Sequence, residues 1–275
     1  MVGRSRIAVL SSYGVVTLLL LLTMFPFGIM ISRSFKSLYQ TGISQIFPTL
    51  PLHYGNYIIA WNYIARYIAN SVILVVLNLL GVLVMSSITA YVFARYDFPG
   101  RRVLFMAIIS LLMVPGILVL IPLFVLISRD LGLKDNLLGL LFPYWAGGQV
   151  FAIFVLHSFF QTLPEEMFEA ARLDGAGHVR IYWNLVLPLS GPILSVVAIL
   201  QIIDTWNDYI LPLLILTRDS VRTVAIGLIF LRDTKFPQPG VEMAAYVIAS
   251  IPMFLLFLAT MRTFISGIMS GAIKI

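Results

Sequence analysis

The chain has no cysteine, so neither a disulfide framework nor a thiolate metal site is available to it. Its three histidines, His53, His157 and His178, are too scattered for ligand spacing. Charge is scarce too: 11% of the 275 residues are Asp, Glu, Lys or Arg, less than half of the roughly 25% usual in soluble domains. None of the four lysines, Lys36, Lys134, Lys235 and Lys274, follows a glycine, so no phosphate-binding Gly-Lys-Ser/Thr loop exists and nucleotide must be bound elsewhere. There is no His-Glu-x-x-His and no Gly-x-Ser-x-Gly, and no clustered acid–base pair outside Asp204 with Asp208, which argues against an enzyme.

What is present is apolar. Hydrophobic residues make up 60% of the chain, and the mean hydropathy is +0.99. Stretches long enough to cross a bilayer occur at about 7–31, 70–93, 103–127, 137–160, 185–214 and 243–265. They lack the two-residue alternation of barrel strands, and in lipid each backbone polar group must be satisfied within its own segment, so an all-α membrane protein of six transmembrane helices is expected. The first run is too long for a secretory signal and reads as an uncleaved span. The formal charge of +6 comes mostly from residues flanking the spans, where they anchor helices at headgroups, and gives no reason to expect nucleic acid.

An even number of spans puts both termini on one side. If that side is cytoplasmic, Arg4, Arg6, Arg95, Arg101, Arg102, Arg172, Arg180, Arg262 and Lys274 lie inside and the other nine of the 18 basic residues outside, so the total does not decide. The densest short-loop cluster, Arg95 with Arg101 and Arg102, favours cytoplasmic termini. The longer loops at about 32–69 and 215–242 then face outward. The aromatic run Asn56–Tyr63 in the first suits a helix lying on the membrane surface. Pro115, Pro122, Pro143 and the glycines Gly116, Gly147 and Gly148 permit kinks and close packing within the spans.

Residues 161–188 break the pattern with a charged, glycine-punctuated island between the fourth and fifth spans. Thr162 can cap a helix, Pro164 fits its first turn, and Glu165 stands at the capping-box position. The helix is expected to run to about Leu173, with Glu165, Glu166 and Glu169 near its positive end, and Asp174-Gly175-Ala176-Gly177 turns the chain into a second short helix. Ala170 and Ala171 remove bulk, so that a partner can approach the backbone, while Met167, Phe168 and Leu173 offer apolar contacts. The island reads as a docking element.

Glu169-Ala170-Ala171, three residues, Gly175, nine residues, Leu185, one residue and Leu187-Pro188 together resemble the cytoplasmic loop of permease subunits in binding-protein-dependent ABC importers. Leu185 departs from the usual Ile. Asn70-Ser71, Ala90-Tyr91 followed by Phe98-Pro99-Gly100, Trp206-Asn207-Asp208 and the stretch from Gly267 to Lys274 are similar to the second permease of the carbohydrate uptake group, which includes maltose-type systems. The resemblance implies a single transmembrane domain over 1–275, with a core at about 70–265, whose loop forms a coupling helix on a cytoplasmic ATPase dimer. Glu169, Ala170, Ala171, Asp174, Gly175 and Pro188 are then the coupling residues. It also implies a sister permease forming a heterodimer, an extracytoplasmic solute-binding protein, a sugar or oligosaccharide as substrate, and a bacterial or archaeal plasma membrane. No cofactor is expected in this chain, ATP and Mg being bound by the ATPase.

Asp204, Trp206, Asn207 and Asp208 are the candidate substrate pathway. A carboxylate at the bilayer centre costs roughly 2.5–3.5 kcal/mol, so it faces a protein interior or a wet cavity. Asp204 and Asp208, four residues apart, are expected on one helix face, but Asp204 also stands about 24 Å beyond Pro188, where an interfacial anchor or a structural hydrogen bond is an equal reading. An ion-coupled carrier using the same two carboxylates is the alternative function, although it leaves the island unexplained. His157 is expected to be an interfacial or packing residue rather than a proton relay.

Overall fold

The structure, a computed structural model, describes the backbone of residues 6–232 and 238–272, and the side chains of 11–231 and 238–261 within them. Expectations for Arg4, Lys235, Ile273 and Lys274, and for the side chains of Arg6 and Arg262, fall outside the described residues. The described residues are helical and contain no strand. Among the described residues, four helices are long and apolar enough to cross a bilayer unbroken: α1 (Arg6–Ser34), α3 (Gly55–Arg95), α6 (Leu138–Phe160) and α13 (Pro239–Ala272).

The third and fifth apolar stretches are not straight spans. The third divides into α4 (Arg101–Ser110), continued by a 3₁₀ turn to Met113, and α5 (Gly116–Val125), continued by a π turn to Asp130, with a bend of 96°. Pro115 causes the break: it excludes the helical conformation at the residue before it, and Val114 is accordingly extended at φ −82°, ψ 114°. The fifth runs from α8 (His178–Ile181) through a π turn and α9 (Leu187–Leu189), then bends by 75° into α10 (Gly191–Asn207). Pro192 has no N–H to give to the carbonyl four residues back, and the chain turns at Ser190, whose hydroxyl donates to the Val186 carbonyl at 2.5 Å. Counting each bent pair as one crossing gives six.

The run Asn56–Tyr63 is not a separate surface helix. It forms the first turns of α3, which at 41 residues is about 60 Å long, roughly twice the hydrocarbon thickness. The remaining helices, α2 (Leu38–Ile43), α11 (Ile210–Ile215) and α12 (Val224–Arg232), lie in or beside the longer connections, and α7 (Glu165–Leu173) is the island.

The chain divides into two compact units, with boundaries inside α3, α12 and α13. The first, Met1–Ala65 with Gly227–Pro252, is organised around Lys36, which is 1% exposed and whose Nζ donates to the carbonyls of Ser44 (3.0 Å) and Phe47 (2.5 Å). Asn56 donates to the carbonyls of Ser34 and Lys36. A Cβ on Gly240 would stand 2.1 Å from the Lys36 carbonyl oxygen, so α13 begins where only glycine fits.

The second unit, Arg66–Ile226 with Met253–Ile275, holds two apolar clusters. One gathers Val82, Ala90, Leu156, Phe160, Phe168 and Tyr182, and the other Leu74, Leu140, Leu211, Ile215 and Ile226. Polar links join the helices: Asn78 Nδ2 to Thr205 Oγ1 at 2.7 Å, Ser87 Oγ with Tyr182 OH at 2.7 Å, and Trp145 Nε1 to the Leu77 carbonyl at 3.1 Å. Asn70 donates to the carbonyls of Ser220 and Arg222, and Ser71 Oγ accepts from Val224 N. That pair therefore pins a loop from mid-α3 rather than opening the span.

Asp135, in the connection between Asp130 and Leu138, closes a clasp on the segment after α11. Its Oδ1 accepts from the Arg218 amide at 2.6 Å, and its Oδ2 from Thr217 Oγ1 at 2.9 Å. The Arg218 amide bond, helped by Thr217 and by the Arg218 charge, holds its carboxyl below the usual carboxylate range against a smaller desolvation effect. A depressed folded value means that the contribution is full above the unfolded value of about 3.9 and is lost as pH falls through the folded one. Protection of the Arg218 amide, measured against its intrinsic exchange rate, is therefore expected to hold from neutral pH to below about pH 4 and to be lost as pH falls further, through the depressed value. Asp135→Asn should lower that protection already at pH 7.

Candidate functional site

The α7 island is built as a helix with a glycine stop. Two glutamates, Glu165 and Glu166, occupy its first turn and Arg172 its last, both favourable with the helix dipole. The expected Thr162 cap is absent. Pro164 is the N-cap residue, and the Thr162 hydroxyl donates backward to the Phe159 carbonyl, closing the end of α6 instead. At the other end Gly175 has φ +76°, its amide bonds to the Arg172 carbonyl at 3.0 Å, and the Ala176 amide bonds to the Ala171 carbonyl at 2.9 Å. This pair of bonds is a Schellman stop, which needs the left-handed residue that glycine supplies.

Glu169, Ala170, Asp174 and Gly175 are exposed together at the C-terminal end of α7, and Ala171 is half-buried against the chain's own apolar cluster. Pro188 is exposed as well, but in α9, beyond the second short helix. Leu173, 88% exposed, remains free for a partner. Phe168 does not: at 4% exposed it belongs to the cluster that includes Phe160, Ile181 and Tyr182, so it roots the island rather than presenting it. Amphipathicity explains the split, since Phe168 and Ala171, three apart, share the inner face while Glu169 and Ala170 turn outward.

Sequence reasoning missed the arginine under this helix. Arg95, the last residue of α3, donates through Nη1 to Glu165 Oε2 at 2.8 Å. Through Nη2 it donates to the carbonyls of Phe160 (2.6 Å) and Leu163 (2.7 Å), and its Cζ lies 3.9 Å from the centre of the Phe168 ring. Arg172 also pairs with Glu165. The only signal in the sequence was a basic residue at a span end, which headgroup anchoring explained equally well.

The second group of candidates is not brought together as expected. Asp208 does not share a helical face with Asp204: α10 ends at Asn207, and Asp208 is its extended cap. Its carboxylate accepts from the Ile210 amide at 3.0 Å and from Tyr144 OH at 2.6 Å, which fixes the start of α11 against α6. Trp206 is buried, and Asn207 donates to the Ile203 carbonyl within its own helix. Asp204 alone lines a cavity of about 560 Å³ with Asn78, Tyr144, Gly148, Phe151 and Gln201, a volume in the range of small-molecule sites. Among the described residues no basic side chain lines it, and the Asn78 carboxamide oxygen is buried there without a hydrogen-bond donor. Asn78, Tyr144 and Gln201 lie on α3, α6 and α10, too far apart in sequence for any motif to join them. His157 packs on Phe105 with ring centres 4.1 Å apart, as a packing residue does.

Comparison with known proteins adds sequence and fold relatives. The profile of the family described as "Binding-protein-dependent transport system inner membrane component" matches residues 83–269. The diacetylchitobiose uptake system permease protein NgcG of Streptomyces coelicolor is 31% identical over 269 residues, covering 96% of this chain and 88% of that protein. The arabinooligosaccharides transport system permease protein AraQ of Halalkalibacterium halodurans is 32% identical, covering 92% of each. The trehalose/maltose transport system permease protein MalG of Thermococcus litoralis is 34% identical over 76% of this chain and 75% of its own length. A chain from the crystal structure of a bacterial ABC transporter involved in the import of the acidic polysaccharide alginate superposes with a TM-score of 0.82 over 95% of this chain and 99% of its own. At 22% identity that likeness speaks for the fold alone.

Proposed function

The chain belongs to the family of inner-membrane components of binding-protein-dependent transport systems, and we propose that it passes a neutral sugar or oligosaccharide inward as one permease of an ATP-driven importer. It is a multi-pass transport component of a membrane. Its partners in this reading are a sister permease, a cytoplasmic ATPase dimer that binds ATP and Mg, and an external solute-binding protein. The whole of 1–275 acts as one permease domain, with the termini and α7 cytoplasmic.

One observation carries the reading: α7 is rooted by Phe168 and stopped by Gly175 so that Glu169, Ala170, Asp174 and Gly175 form an exposed patch of small and acidic groups. That chemistry suits a cleft on an ATPase, because alanine and glycine allow close backbone approach while the carboxylates meet donors. Closure of the ATPase pair on ATP would press on this patch. Because α7 leads through α8 and the π turn into the bend at Ser190, the displacement would be passed to α10, which carries Asp204 and Gln201. The cavity supports a neutral, donor-rich solute: Asp204 and Gln201 offer acceptor oxygens to hydroxyls, and an anion would meet an uncompensated carboxylate. The ion-coupled alternative is weakened, since its second carboxylate, Asp208, serves as a helix cap.

The test is co-purification of the detergent-solubilised chain, expressed with its sister permease and ATPase. Wild type is expected to retain the ATPase, and Glu169→Lys to lower the retained amount about tenfold, equivalent to about 1.4 kcal/mol of interface energy. A wild-type chain that retains none refutes the reading.

A further inference from the structure

We propose that Arg95 is a positioning residue that locks the docking helix α7 to the end of α3, so that α7 and the long membrane helix move as one body. The inference rests on the reading of α7 as the ATPase-docking element.

The guanidinium meets four successive features of the segment that carries α7. It accepts no proton and needs none, since all its contacts use its donors or its face. Nη2 closes the C-terminal end of α6 through the Phe160 carbonyl and the connecting turn through the Leu163 carbonyl. Nη1 holds the first residue of α7 through Glu165, and the guanidinium plane covers the ring of its fourth residue, Phe168. Both charges suit the helix ends they occupy: the cation lies at the negative end of α6 and the carboxylate at the positive end of α7. The Arg95 side chain is only 13% exposed, so the guanidinium is held within the protein, while the Glu165 side chain, at 54%, still meets solvent. Lysine cannot reproduce the set, because a single ammonium lacks the planar fork and the stacking face.

The grip is not confined to the entry side of α7. After the Gly175 stop, the chain returns to α3 at Tyr182, whose hydroxyl bonds with Ser87 at 2.7 Å and whose ring lies 5.4 Å from that of Tyr91. Both roots of the docking segment therefore rest on the last turns of α3. Arg95 is the part of this clamp that a substitution can remove without cutting into the apolar cluster.

The absence of native cysteines allows the coupling to be read directly. In the assembled transporter, with partner cysteines removed, spin labels at Val92→Cys on α3 and Glu166→Cys on α7 report their separation by double electron–electron resonance. Distances are taken nucleotide-free and after trapping with Mg-ATP and vanadate. Unmodified Arg95 is expected to give one narrow distance, the same in both states. Arg95→Ala is expected to broaden it by about one helical turn, ~5 Å, and to separate the two states in the complexes that carry the ATPase. Arg95→Lys, which keeps the charge and is the milder change for folding, should broaden it to a smaller extent. Superimposable distributions for Arg95 and both variants, with the ATPase retained, overturn this inference and leave the importer reading intact. Failure of the wild-type chain to retain an ATPase overturns both.

Discussion

Gly175→Val is expected to abolish retention of the ATPase, whereas Gly175→Asn at the same position is expected to leave most of it. The difference isolates backbone conformation from bulk. Gly175 sits at φ +76°, and a Cβ added there would meet nothing within 4 Å, so space within this chain is not the constraint. Its left-handed conformation is. For an ordinary L-residue that conformation costs about 1–2 kcal/mol, and for a β-branched one it is a genuine outlier. Valine would therefore shift the local equilibrium away from the Schellman stop by tenfold or more, since about 1.4 kcal/mol corresponds to a factor of ten. Losing the stop releases the Ala176–Ala171 and Gly175–Arg172 bonds together, redirecting the chain toward α8 and dispersing the patch formed by Glu169, Ala170, Asp174 and Gly175. Asparagine tolerates the left-handed region and keeps the turn. If the two variants lose the ATPase equally, the requirement at 175 is for a bare surface against the partner rather than for this turn.

The same glycine shows what a sequence makes legible. The stop of α7 was readable because a local backbone requirement leaves a local signature, and the six apolar stretches were readable because bilayer thickness imposes a length. The breaks inside the third and fifth stretches were harder to see. Proline is tolerated in many membrane helices, and whether Pro115 or Pro192 bends a span by 96° or 75° depends on what the freed backbone groups can bond to. Thr162 and Asp208 are the clearest errors. Each has a side chain able to satisfy more than one nearby backbone group, and the tertiary alternative won: Thr162 turned back to Phe159, and Asp208 left the helix to take the Tyr144 hydroxyl and the Ile210 amide. Arg95 and Asn78 were invisible for a different reason. Their roles are set by partners 65 to 127 residues away, and no spacing rule reaches that far.

The largest loss of stability is expected from Gly81→Leu in the middle of α3, and it should appear as loss of folded chain before any functional assay is possible. A Cβ at this position would lie 2.1 Å from Nε1 of Trp145 and 2.4 Å from its Cε2, far inside contact distance. The indole cannot yield cheaply. Its Nε1 donates to the Leu77 carbonyl one turn earlier on α3, so the ring lies flat in the groove that the missing side chain leaves. In a bilayer no hydrophobic effect drives helices together, and such close approach at a small residue supplies much of the packing. Even Gly81→Ala must push the ring aside and break that hydrogen bond, a combined cost of about 2–4 kcal/mol from overpacking and the lost bond. Gly147→Ala is the control: a Cβ there meets nothing within 4 Å, and the change should stay within about 0.5 kcal/mol. Thermal unfolding in detergent, followed by size-exclusion fluorescence, reads all three. The decisive member is the double variant Gly81→Ala with Trp145→Phe. A phenyl ring frees the space that the added methyl needs, so the double variant should be more stable than the sum of the two single losses by about 1 kcal/mol or more. Strict additivity would mean that the two side chains do not meet, and that the approach of α6 to α3 at this level is wrong.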